Sequence, residues 1–97
     1  MKTILRARPK FNPGRCSVTR HALEAMDRSG QDPGFFLDKH LRIDQGECDG
    51  GDHALNLAAV TNGERIFTAF KTLLGVKLWI ITEADRSRTT IMLPEEY

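Results

Sequence analysis

Only two cysteines, one tryptophan and one tyrosine occur in these 97 residues. Two thiols cannot build the dense disulfide framework of small secreted domains. Cys16 and Cys48 are therefore expected as reduced thiols. No apolar run approaches the roughly 20 residues that a membrane-spanning helix needs. The opening, MKTILRARPK, has no apolar stretch of the kind a secretory signal carries. These absences lead to an expected cytoplasmic location and no membrane partner. Self-sufficient chemical signatures are missing too. There is no Gly-x-Ser-x-Gly elbow, no Gly-Lys-Ser/Thr phosphate loop and no alternating acids of an EF-hand. No cofactor is assigned.

What is present fits one folded domain. The apolar share is 40% and the charged share 28%, ordinary for globular chains. Net charge is +1, but the charges are segregated. Residues 1–20 hold Lys2, Arg6, Arg8, Lys10, Arg15 and Arg20 and no acid. Residues 21–64 hold nine acids against Arg28, Lys39 and Arg42. Such asymmetry points to a charged partner or to two solvated faces that attract each other within the fold.

Periodicity divides the chain. Residues 1–15 read as a basic arm or an edge strand, ending in the turn Asn12-Pro13-Gly14. Residues 17–62 read as three short helices. Ser17 is expected to cap the first, with Val18, Ala22, Ala25 and Met26 on one stripe, and Gly30 to end it. Asp32-Pro33 opens the second, whose apolar side holds Phe36, Leu37, His40 and Leu41. The third starts near Asp52, turns Leu55, Ala58 and Ala59 inward, and stops at Asn62-Gly63. Residues 64–93 then change to period two and read as an antiparallel meander. In its middle strand, VKLWIIT, both faces are apolar, which predicts a central strand that is largely covered. The expected fold is α+β: three short N-terminal helices packed on one face of a three-stranded, or four-stranded, antiparallel sheet.

Three chemistries are conceivable. Cys16 and His21 share a spacing with Cys48 and His53, and two thiolates with two imidazoles suit zinc. The halves lie far apart in sequence and the spacing is not a common knuckle, so no metal is assigned. A metal-independent RNase could use His40 as acid, Glu47 as base and Arg65 on the phosphate. No histidine falls on the predicted sheet, and His40 on an apolar helix flank is more simply structural. Nucleic acid could bind through Arg6, Arg8, Lys10 and Arg15.

The C-terminal segment LWIITEADRSRTTIMLPEEY carries the most specific signal. It resembles a family of small proteins of bacterial plasmids and other mobile elements, whose pattern reads IWIITEADRS-x-TT-x-LLP-x-EY. The likeness covers residues 36–97 and includes Asn56 and Gly63-Glu64-Arg65-Ile66. It departs at Ile43-Asp44-Gln45-Gly46, where the family has Gly-Asp-Trp-Gly. Members sometimes carry restriction-subunit labels, although a chain this short has no room for a methyltransferase. The resemblance implies an accessory protein of mobile DNA. The expectation is a non-enzymatic binding protein that inhibits a host defence complex of the anti-CRISPR or anti-restriction kind. Its protein partner would meet Asp44, Glu47, Asp49 and Asp52 in the acidic segment and Glu83, Asp85, Arg86 and Arg88 in the hairpin loop. Oligomeric state is left open.

Overall fold

The computed structural model describes residues 9–43 and 50–97. Strand β1 (Arg15–Val18) comes first, then helices α1 (Arg20–Arg28), α2 (Pro33–Leu41) and α3 (Gly50–Asn62). The meander β2 (Ile66–Lys71), β3 (Lys77–Thr82) and β4 (Arg88–Met92) follows, closed by a 3₁₀ turn over Pro94–Glu96. The four strands form one sheet in the order β1-β4-β3-β2. The α+β class is as expected. The sheet is mixed, however, because β1 runs parallel to β4, with Arg15 opposite Arg88 and Val18 opposite Ile91. A strand therefore precedes the helices, and Ser17 belongs to it. The cap of α1 is Thr19, whose hydroxyl accepts from the Ala22 N–H at 3.3 Å.

The alternation that predicted the meander also builds the core. Ile66, Thr68 and Phe70 lie opposite Thr82, Ile80 and Leu78 in the antiparallel register. Ile80 and Thr82 in turn face Ile91 and Thr89. All of these side chains are buried. Ala22 and Met26 of α1 and Phe36 of α2 pack on Phe70, Leu78, Ile80 and Ile91. Burying one such large side chain contributes about 1.5–3 kcal/mol. Among the described side chains of α3, Asn56 and Ala59 are buried, whereas Leu55 is 68% exposed and Ala58 is exposed. Of the expected inward Leu55, Ala58 and Ala59, Ala59 is inward as expected, whereas Leu55 and Ala58 give way to Asn56, which has main-chain partners to reach. After α2, Ile43 occupies the left-handed region at φ 55°, a place usually filled by glycine. Its side chain is buried with Ala59 and Ile66, and that packing holds the conformation. Among the described residues no helix is long and apolar enough to cross a membrane.

Candidate functional site

The helix-covered face of the sheet encloses a polar chain centred on His40. Its Nδ1 lies 2.7 Å from the Thr68 hydroxyl and its Nε2 lies 2.7 Å from the Thr82 hydroxyl. Thr82 is 2.6 Å from Thr89, and Thr89 donates to the Pro13 carbonyl at 2.8 Å. A carbonyl can only accept, and each hydroxyl has one proton to give. Thr89 spends its proton on Pro13, so Thr82 donates to Thr89 and must accept from His40 Nε2–H. Nδ1 is left as the acceptor for Thr68. The imidazole is therefore neutral and satisfied on both sides. Burial pushes its pKa down to about 3.

The loop between β3 and β4 is tied inward as tightly. Arg86 sits at φ 61°. Its Nη1 donates to the carbonyls of Glu64, Glu83 and Ala84 at 2.7, 3.1 and 3.2 Å. Nη2 donates to the Ala59 carbonyl at 3.0 Å, near the end of α3. The Ala59 carbonyl also accepts from the Glu64 N–H, so the guanidinium adds a second donor there and meets the negative end of the helix dipole. The guanidinium also lies over the Phe11 ring, 5.7 Å from its centroid. Asp85 accepts from the Ser87 N–H at 2.9 Å. The Ser87 bonds, and to a smaller extent the Arg88 charge, hold the Asp85 carboxyl below its ordinary pKa. The same backbone is approached closely by Gly14, at φ +67°, where an added Cβ would collide with the carbonyls of Arg86 and Ser87.

Among the described residues none of the three α-helices packs on the opposite face of the sheet, where Ile81 and Ala69 are nonetheless buried and Phe67 and Trp79 half-buried. The registers set its side chains in rows across the strands. Arg15, Arg88, Glu83 and Arg65 form one row, the last two 3.9 Å apart. Ser17, Thr90, Ile81 and Phe67 form the next. Met92, Trp79 and Ala69 follow, and then Lys77 and Lys71. Phe67 meets Trp79 edge-on with centroids 5.1 Å apart, and Trp79 meets Tyr97 at 5.8 Å. Arg65 lies over the Tyr97 ring at 5.2 Å. Arg65, Phe67, Trp79, Ile81 and Tyr97 line a cleft of about 310 Å³. Beside it, Arg15, Glu83, Ala84, Asp85, Ser87 and Arg88 border a wider depression of about 710 Å³.

The predicted site residues separate on this frame. His40 and Arg65 lie on opposite faces of the sheet, and Glu47 is outside the described residues. Of the acidic contact set, Asp44, Glu47 and Asp49 fall outside the described residues, as does the side chain of Asp52. Glu83, Asp85 and Arg88 come together around the wider depression, whereas Arg86 is turned to main-chain carbonyls. Arg6 and Arg8 are outside the described residues, Lys10 is exposed, and Arg15 reaches the cleft-bearing face. Cys16 is exposed on β1, His21 bonds Glu96 at 3.1 Å, His53 is half-buried on α3, and Cys48 is outside the described residues. Among the described residues no three such side chains group as metal ligands. Sequence reasoning passed over Phe67, Trp79 and Tyr97 as surface groups. The expectation that the VKLWIIT strand is central and largely covered agrees with the burial of β3, but apolar character alone does not show that Trp79, with Phe67 of β2, lines a cleft. Compared with family models, curated proteins and solved structures, the chain matches none.

Proposed function

We propose that this protein is a non-enzymatic binding protein that works on single-stranded nucleic acid through the cleft-bearing face of its sheet. One observation carries this reading. Three aromatic rings, Phe67, Trp79 and Tyr97, stand in sequence on a sheet face rimmed by Arg15, Arg65, Lys71, Lys77 and Arg88. Bases stack on aromatic side chains whatever their sequence, and surrounding cations track the phosphates. The acids of this face are engaged nearby: Glu83 lies beside Arg65, and Asp85 is held by Ser87. Catalysis by the RNase route is not supported, because His40 is neutral and sealed on the other face. The test is titration of the full chain against labelled oligonucleotides, followed by anisotropy and by Trp79 fluorescence. Quenching of Trp79 together with salt-sensitive binding is the expected result. Unchanged fluorescence and anisotropy at low salt would remove the reading.

A second reading is a protein partner, with the protein acting as an inhibitor of a host defence complex, as the mobile-element resemblance implies. Residue type favours it, since Trp, Tyr and Arg are the side chains that dominate protein interfaces. It predicts capture of a nucleic-acid-targeting effector by the immobilised chain, blocked by substitution of Tyr97.

A further inference from the structure

The arginine pair at the edge of the cleft-bearing face makes no side-chain hydrogen bond or ion pair among the described residues, and Arg88 acts on Asp85 only as a nearby charge. Arg15 and Arg88 are direct partners in the parallel ladder, so their side chains emerge side by side. Both are exposed and both border the 710 Å³ depression. Like charges directly opposed across two strands work against the pairing. Among the described residues neither guanidinium has a carboxylate within ion-pair distance. Glu83 lies 3.9 Å from Arg65, and Asp85 takes the Ser87 N–H, feeling the Arg88 charge only at longer range. Two adjacent forks with their donors unspent form a receptor for an oxyanion, and guanidinium geometry matches phosphate oxygens.

We infer that Arg15 and Arg88 clamp a backbone phosphodiester of the same single strand whose base enters the Phe67–Trp79–Tyr97 cleft. This rests on the reading above and adds the polar half of the site. The clamp lies on β1 and β4, whereas the cleft lies on β3 and β2. Adjacent strands are about 4.8 Å apart, so the two points are separated by roughly 10 Å across the sheet. One phosphate and one base of a short extended oligonucleotide reach both. Ser17 and Thr90, between clamp and cleft, offer hydroxyls along the way.

The experiment uses the full chain, fluorescein-labelled oligothymidylate and a series of potassium chloride concentrations. Neutralising both arginines (R15A with R88A) is expected to reduce the slope of log affinity against log salt by about 0.7, the single-strand value for the one phosphate the pair neutralises. Quenching of Trp79 should persist in that variant. Arg15→Lys with Arg88→Lys should restore the slope, because charge alone sets it. Circular dichroism of each variant checks that these exposed positions leave the fold intact. If oligothymidylate binds and quenches Trp79 but the slope is unchanged in the alanine variant, the clamp is overturned and the nucleic-acid reading stands. If no oligonucleotide binds at any salt, or if only a protein is captured, both are overturned.

Discussion

His40 and Arg86 are the two side chains whose surroundings decide most. His40 is neutral in the fold and protonates near pH 6.5 when unfolded, whereas burial lowers its folded pKa to about 3. Between those values the unfolded chain binds the extra proton, so stability must fall as pH falls. The contribution is fully present above pH 6.5 and is lost progressively toward pH 3, roughly 4–5 kcal/mol in all. That is a large part of what a small domain has. Urea denaturation at a series of pH values should show the decline beginning above the range where carboxylates titrate. His40→Gln should be less stable at pH 7 and flatter between pH 6.5 and 4.5. An equally steep profile in that variant would assign the decline to another group. Arg86 is tested differently. Arg86→Ala should lower stability by about 2–3 kcal/mol in urea, since four carbonyls lose a charged donor. Arg86→Lys should recover little of it, because a point charge cannot reproduce a planar fork. Arg86 sits in the loop where the sequence places its most specific motif. The structure gives that residue a fold-holding task that no spacing argument exposed, because its partners are main-chain carbonyls.

At the scale of elements, the meander was legible because period-two alternation is a local signal. Strand β1 was not. Its four residues, RCSV, carry no alternating apolar pattern, and their partner β4 lies about seventy positions away in the chain. Only the closed fold supplies the bonds from the Arg15 N–H to the Ser87 carbonyl and from the Thr19 N–H to the Ile91 carbonyl, both 3.0 Å. Part of the face of α3 was misplaced for a similar reason. Asn56 reads as a polar interruption, yet its amide accepts from the Phe67 N–H at 3.0 Å and donates to the Phe67 carbonyl. It stands where another strand would pair, on the outer edge of β2. Edge strands with open main-chain groups invite pairing with other chains. Asn56→Ala should therefore do two things. Stability should drop by about 1–3 kcal/mol, since two part-buried main-chain groups lose their partner. Self-association should rise with concentration in sedimentation velocity, and a variant that is destabilised yet strictly concentration-independent would argue against edge protection.

Among the described residues one face of the sheet is helix-covered and the other carries a half-buried aromatic cleft with a charged rim. Helices seal the first face around Phe36, Phe70, Leu78 and Ile80. Both halves of this division follow from alternation, so which residues share a face could be read from sequence. Which face the helices would cover could not, because Trp79 and Ile81 are as apolar as Leu78 and Ile80. The candidate site was correspondingly only half legible. Arg88, Glu83 and Asp85 were singled out, and they do meet. Trp79 was read only as part of a largely covered central strand, Phe67 drew no separate reading, and Tyr97 shows no period at all. Tyr97 is 67% exposed although its ring touches Trp79 and carries Arg65 above it. A side chain that covers so little core should be dispensable for folding. Tyr97→Ala should change the urea midpoint only slightly, as surface substitutions do. If the cleft takes a base, the same change should weaken oligothymidylate binding by about five- to a hundredfold, the measure of one lost stacking contact. The salt slope should stay as in the wild type, because no charge has been removed. That pattern is the reverse of the one expected for the Arg15 and Arg88 pair, which alters the slope and spares the stacking. Tyr97→Phe should bind almost as the wild type does, since a ring is retained. Loss of affinity in the phenylalanine variant equal to that in the alanine variant would mean that the hydroxyl, not the stacked ring, makes the contact.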